Sequence, residues 1–241
     1  MASPSLSLAT RKSGFLYIGM AGLAMLIVFV GFAPTFYLNG HFEHHVLTPV
    51  VILHGIAFSG WILLLVAQTS LVKLGRTDVH RKLGIAGAIL AVIMVSLGVT
   101  VAIAFARRGI GTPQEGLILR YFLPFPLLAM LAFTSFVGAA IYWRRSPEVH
   151  KRLMLLATFT VLQAAISRLH LAFIARYHAP AYFVLTDMLL LASVLYDYRS
   201  QRRIHVAYMY GGALLVFSQL ASMGLAHVRG WIPLARWICG A

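Results

Sequence analysis

Three titratable side chains lie inside apolar runs of this chain: His54, His170 and Asp187. A charged or titratable group in hydrocarbon costs roughly 2.5–3.5 kcal/mol on insertion scales, so each one requires a partner or a purpose. The runs place all three groups at a similar depth, towards the same side of a bilayer. Imidazole and carboxylate groups suit iron, copper and zinc, so these residues are predicted ligands of a metal ion or of haem b.

Helical spacing extends this predicted site along two of the runs. His54, Trp61 and Gln68 recur every seven residues, which places them on one helix face with a drift of about 20° per step. Gln163 and His170 have the same spacing. We therefore expect these five residues to line a polar or cofactor-filled centre between two helices.

A loop after the first apolar run carries further donors in the segment His41-Phe42-Glu43-His44-His45. Three histidines and a carboxylate just outside the membrane would add to the same site, and His44 and His45 are predicted as its additional metal ligands. Their spacing matches no tight metal-binding signature, and a solvated loop is the alternative.

Other polar residues have simpler interpretations. Asp187 has the alternative of pairing with Arg168 or hydrogen-bonding a neighbouring helix. His80 and His150 are expected at headgroup level beside lysine and arginine. Two further residues of a short connection are expected to be solvated, namely Asp197 and His205.

A pair of haems sharing the fifth helix is disfavoured by helical phase. His150 and His170 are twenty residues apart in the sequence, or about 200° around a helix axis, so they point to opposite sides. One site in the outer half of the bilayer is the better prediction.

Composition identifies the class of protein that must position these groups. Of the 241 residues, 60% are hydrophobic and only 11% are charged, and the mean hydropathy is +0.84. These values are typical of integral membrane proteins. The net charge of +14 does not indicate nucleic acid binding, because the basic residues lie in turns between apolar runs. A single cysteine, Cys239, excludes an intramolecular disulfide.

Seven apolar runs are long enough to cross a bilayer as helices. They predict an all-α, polytopic membrane bundle in a single domain of residues 1–241, with repeat units at about 48–106 and 120–173. The predicted helices are 14–38, 48–72, 82–106, 120–143, 149–173, 181–198 and 206–227.

Lysine and arginine are unevenly distributed between the two sets of connections, in a ratio of roughly two to one. The set that includes the N-terminus is the richer, which predicts a cytoplasmic N-terminus and an outside C-terminus. A bacterial inner membrane is the expected location.

Two similar strings, seventy residues apart, are the clearest sign of internal repetition. Asp78-Val79-His80-Arg81-Lys82-Leu83 and Glu148-Val149-His150-Lys151-Arg152-Leu153 each separate two apolar runs. Cap signals precede both, with Thr77 before the first and Ser146-Pro147 before the second. The same helix–turn–helix unit is therefore predicted twice, and such repeats often place a binding site between the two copies.

The first string is part of a longer pattern, Gly75-Arg76-x-x-x-His80-Arg81-x-x-Gly84, preceded by His54-Gly55 and Trp61. This pattern resembles that of uncharacterised bacterial multi-helix membrane proteins, in which a G-R-x-x-x-H-R-x-x-G turn joins two helices. The resemblance covers residues 48–106, with a weaker echo at 144–173. It implies fold more than activity, although proteins of this kind are often suspected of haem or copper handling. It includes His54 and His80 as members of the pattern and gives no support to His170 and Asp187.

Two classes of function follow from these residues. One is a redox-linked membrane metalloprotein that binds haem b or a non-haem metal through His54 and His170. The other is a non-enzymatic transporter, or an accessory subunit of a membrane complex, whose polar stripe binds a lipid-soluble ligand or a partner helix. Trp61 and the two glutamines serve both, because amides also bind uncharged polar groups without a metal.

Overall fold

The computed structural model describes residues 4–42 and 46–241, with side chains from residue 15 onwards. Within these ranges the chain is helical and has no strand, which confirms the predicted all-α class. Eleven helices follow one another in the described part: α1 (Pro4–Phe32, continued by a π-helical segment, Ala33–Tyr37), α2 (Asn39–Phe42), α3 (Pro49–Lys73), α4 (Thr77–Gly109), α5 (Glu115–Leu117, followed by a π-helical segment, Ile118–Phe122), α6 (Pro124–Tyr142), α7 (Pro147–Ile166), α8 (Ala172–Tyr177), α9 (Ala179–Gln201), α10 (Val206–Leu225) and α11 (Trp231–Cys239).

Seven segments of the described chain are long and apolar enough to cross a bilayer, in agreement with the seven predicted runs. They are α1, α3, α4, the continuous segment from α5 to α6, α7, α9 and α10. The protein is therefore a polytopic membrane bundle. Many large apolar side chains remain exposed on it, because lipid rather than water surrounds those faces.

Proline and glycine determine where several of these helices begin and end. Pro49, Pro124 and Pro147 lie in the first turns of α3, α6 and α7, where a missing N–H costs no intrahelical bond. Gly75 follows α3 with φ +74°, a left-handed conformation that favours glycine and reverses the chain before α4.

Helix α7 is the centre of the bundle. It packs against α1, α6, α9 and α10, whereas α4 packs against α3, α6 and α11. Small residues permit the closest approaches: a Cβ on Gly31 of α1 would overlap the Ala165 carbonyl oxygen, and one on Gly211 of α10 would overlap Leu156.

The bundle has two ends, which contain different sites. We call the end with the turns at 74–76, 143–146 and 202–205 the hairpin end. The opposite end, with the connections at 110–114 and 167–178, is the cleft end.

One predicted helix boundary is wrong in a way that affects the site. The fifth run was expected to be helical over 149–173, but α7 ends at Ile166. The hydroxyl of Ser167 and the guanidinium of Arg168 both donate to the Ala164 carbonyl, at 3.0 and 2.7 Å. These side chains satisfy a terminal carbonyl that a further turn of helix would otherwise have used.

Candidate functional site

His80 and His150 meet at the hairpin end. Each is the fourth residue of its helix, α4 or α7, and each occupies the same place in its copy of the repeated string. Their ring centroids are 6.2 Å apart and the ring planes are nearly perpendicular, at 88°. The fold thus brings together equivalent residues of the two hairpins.

Backbone carbonyls lie beside both rings. The Nδ1–H of His150 donates to the Ala140 carbonyl at 2.8 Å, since a carbonyl oxygen only accepts. This bond leaves the lone pair of His150 on Nε2. The Gln68 backbone carbonyl lies near His80. For His150, a carbonyl that fixes the tautomer and orientation of the ring is what metal-binding histidines commonly have.

The side-chain amide of Gln68 supplies a further oxygen atom at the hairpin end. Within the described residues its Oε1 is buried and has no hydrogen-bond partner, and neither does the His80 Nδ1. Its Nε2 faces Gly84, where an added Cβ would still be 3.8 Å away. The imidazoles of His80 and His150 lie at the starts of α4 and α7, and the Gln68 side chain, on α3, lies beside Gly84 of α4.

The separation of the two rings fits one metal between them. Ring nitrogens bind zinc at about 2.0–2.1 Å, so two imidazoles on one ion have centroids about 5 Å apart at a tetrahedral angle and about 6.4 Å apart when they lie on opposite sides of the ion. Neutral imidazole is a ligand for zinc, copper, nickel and iron, including haem iron.

A buried ion pair lies at the same end, on another face of α7. Arg152 is 0% exposed and its Nε donates to Asp197 Oδ2 of α9 at 2.6 Å. Its Nη1 donates to Glu148 Oε2 at 2.7 Å, and its guanidinium lies 5.7 Å from the Tyr208 ring centroid. These contacts neutralise the arginine within the bundle, so the cluster ties α7 to α9 and α10.

The expectation that Asp197 is solvated is wrong, because its carboxylate is only 1% exposed. The pattern of α7 contains the missed signal. Arg152, Leu156 and Phe159 follow the i, i+4, i+7 spacing of one helix face, and all three are buried. A basic residue on an apolar face requires an acidic partner, and Asp197 supplies it.

His205, also expected to be solvated, is half-buried and caps α10. Its Nδ1 accepts a hydrogen bond from the Ala207 N–H at 3.2 Å. Burial, together with the nearby charge of Arg152, lowers the pKa of His205 from its ordinary value. The cap uses the neutral imidazole, which the lowered pKa favours.

The predicted partners His54 and His170 both lie at the cleft end. The cationic residue Arg168 precedes His170 by two residues in the chain. His54 packs on Phe58, with ring centroids 4.1 Å apart, and interacts electrostatically with Arg168. His170 follows the end of α7 and is exposed, so the helical stripe expected for Gln163 and His170 is not formed. Arg168 and His170 line a cleft of about 610 Å³.

The other predicted site residues lie apart from these centres. Trp61 donates from Nε1 to the Thr158 hydroxyl at 3.2 Å, in the core. Asp187 accepts from Gln219 Nε2 at 3.1 Å, which is the alternative of a bond to a neighbouring helix. Gln163 is half-buried on α7.

The predicted ligands His44 and His45 fall outside the described residues. Among the residues that are described, no group of three or more histidine, cysteine, aspartate or glutamate side chains is arranged to hold a metal. Any metal centre in that part of the chain would therefore have two such ligands, or would use other donors such as Gln68.

Comparison of the chain with known proteins finds no match among family models, curated proteins or solved structures. Function is therefore inferred from the geometry of the two ends.

Proposed function

We propose that the protein is a redox-linked membrane metalloprotein whose metal is held at the hairpin end by His80 and His150. For a redox role the metal is haem b iron or an iron or copper ion; a zinc ion at the same place would serve a role without electron transfer. One observation carries the proposal: the equivalent histidines of two repeated hairpins have ring centroids 6.2 Å apart, within the range of about 5–6.4 Å that a shared metal allows.

Two further features support this centre. The tautomer of His150 leaves Nε2 free to bind, because Nδ1 donates to Ala140. The Nδ1 of His80 has no hydrogen-bond partner among the described residues, so a lone pair or N–H of that ring is also unused.

The chemistry of such a centre depends on its remaining ligands. A haem with two axial imidazoles serves electron transfer, whereas an ion with open positions would activate water or a substrate. In either case His150 is oriented by Ala140, and Gln68 provides an amide oxygen that accepts a hydrogen bond or binds the ion.

The proposed location is a bacterial inner membrane with the hairpin end in the cytoplasm. Exposed Arg76, Arg81 and Lys82 follow the first hairpin turn, and exposed Arg144 and Arg145 lie in the second. The positive-inside rule places such connections on the cytoplasmic side.

Absorption spectra of the detergent-purified protein, oxidised and dithionite-reduced, test the proposal together with elemental analysis of the same sample. We expect either a Soret band or about one metal ion per chain, lost in His80→Gln and His150→Gln. His178→Gln, at an exposed histidine of the cleft end, is the matched control and should keep the full signal.

Other outcomes are equally informative. Loss of the signal in His54→Gln or His170→Gln alone would return the metal to the cleft end. A protein with neither a Soret band nor a metal would overturn the proposal.

A second candidate function is a non-enzymatic transporter or accessory subunit that binds a lipid-soluble ligand. The observation that favours it is the cleft of about 610 Å³, which falls within the size range of ligand pockets, about 300–1,000 Å³. It does not require a metal.

A further inference from the structure

The cleft lies where α7 ends, at Ile166. After Ile166 the chain is irregular through Leu171, and the next helix, α8, has only six residues. Irregular backbone at membrane depth is tolerated where it is buried in protein or lines a cavity. Here it lines the cleft, opposite Gly31 and Thr35 of the α1 segment.

Among the described residues that line the cleft, Arg168 is the only lysine, arginine, aspartate or glutamate. Its guanidinium lies 4.7 Å from the Phe32 ring centroid, and its Nη1 donates to Ala164. Within residues 15–42 and 46–241, no carboxylate lies within ion-pair distance of it. The remaining N–H groups of this fork are available to an anion that enters the cleft.

Polar groups beside Arg168 complement an anion, and the rest of the lining is apolar. His170 and Tyr182 line the same cleft and can donate hydrogen bonds, whereas the Ser167 hydroxyl already donates to the Ala164 carbonyl. The other walls include Leu169, Leu171 and Ile174. This arrangement matches a molecule with one anionic group and an apolar body.

The cleft lies where the membrane-spanning segments end. Thr35 belongs to the last turns of the segment that ends at Tyr37, and Tyr182 to the first turn of the segment that begins at Ala179. Lipid headgroups are located at this depth. Val30 and Val184, close by in the chain, are exposed to lipid.

We propose that the cleft binds the anionic headgroup of an amphiphile, with a phosphate or carboxylate on Arg168 and the acyl chain along the lipid-facing surface of α1 and α9. The proposal is independent of a metal at the hairpin end. Anionic headgroup chemistry is shared by a membrane phospholipid and by a free phosphate, so the experiment must separate the two.

Native mass spectrometry of the full-length protein in a neutral detergent provides the test. Phosphatidylglycerol, phosphatidylcholine with the same acyl chains, and inorganic phosphate are titrated separately. We expect phosphatidylglycerol to bind at least about tenfold more tightly than phosphatidylcholine, the size of effect expected for a charge-assisted hydrogen bond. Binding of phosphate alone, with competition against the lipid, would identify the site as one for the free anion.

Variants at Arg168 test whether the cleft causes the preference for phosphatidylglycerol. Arg168→Gln should lower phosphatidylglycerol affinity to that of phosphatidylcholine, and Arg168→Lys should retain most of the preference because it keeps the charge. Arg176→Gln, at an exposed arginine of α8 that does not line the cleft, should bind like the wild type. An unchanged preference in Arg168→Gln, or its equal loss in Arg176→Gln, would overturn the proposal.

Discussion

The hairpins α3–α4 and α6–α7 begin their second helices with nearly the same six residues, yet their environments differ. Lys82 in the first hairpin is exposed, whereas Arg152 at the equivalent place in the second is completely buried. The cause is the position of α7, which four helices surround. One repeated string therefore supplies a solvated cation in one copy and a structural ion pair in the other.

The histidines of the same strings did not diverge in this way. His80 and His150 both lie in a first helical turn beside a backbone carbonyl, and they face each other across the two hairpins. A pair that is kept symmetric while its neighbours specialise fits a centre built between two repeats. Of the two repeated positions, the one with Lys82 and Arg152 serves the packing of the bundle in one copy, whereas the one with His80 and His150 is available for a ligand.

Replacement of Arg152 should have the largest effect on stability. Arg152→Ala leaves the Asp197 carboxylate buried without its cation, and breaking a buried pair costs about 3–5 kcal/mol. The matched change Lys82→Ala should cost about 0–1 kcal/mol. Unfolding free energies in mixed detergent micelles measure both, and equal losses would remove the distinction between the hairpins.

A bond between the hairpins should have the next largest effect. Trp61 of α3 donates to Thr158 of α7, so Trp61→Phe should cost about 0.5–1.5 kcal/mol. Thr158 also donates to the Met154 carbonyl at 3.0 Å, so its hydroxyl keeps a partner in this variant. Trp143→Phe, in the exposed α6–α7 turn, is the control and should leave the unfolding free energy nearly unchanged. A similar cost in both would mean that the Trp61 bond contributes nothing of its own.

His205, which caps α10 near the Arg152 cluster, should make the free energy of unfolding depend on pH. The folded-state pKa of His205 is below its ordinary value, so the unfolded chain takes up the proton first as pH falls. Stability is therefore complete above about pH 6.5 and decreases as pH falls below it.

Measurements of Tm in detergent at pH 7.5 and 5.5 test this dependence. His205→Asn keeps a capping side chain without titrating, so it should lose less stability than the wild type between the two pH values. An identical decrease in both proteins would show that other histidines are responsible.

The spanning helices could be predicted because each is an apolar run bounded by polar or helix-breaking residues. The seven runs are confirmed, and Pro49 and Pro147 mark helix starts. The end of α7 could not be predicted in this way. It depends on Ser167 and Arg168 donating to Ala164, and neither residue type by itself signals a helix end.

The candidate sites were less accessible to sequence reasoning, because they depend on contacts between distant segments. The equivalent positions of His80 and His150 in the two repeated strings were evident from the sequence. Whether their rings come together depends on how the hairpins pack. Asp197 was expected to be solvated because its partner, Arg152, is forty-five residues earlier in the chain. The His54–His170 metal site remains a prediction.

The smallest effect is expected at the first acidic residue of the first hairpin. Asp78 pairs with Arg76 at 3.7 Å, and both side chains are mostly exposed. Asp78→Asn should therefore cost about 0.5 kcal/mol or less, since solvent screens the pair. Its equivalent, Glu148, bonds the buried Arg152 at 2.7 Å, so Glu148→Gln should cost more. If unfolding free energies show the two changes to be equal, the second hairpin owes its special role to Asp197 alone, and the repeated acidic position is merely a helix start in both copies.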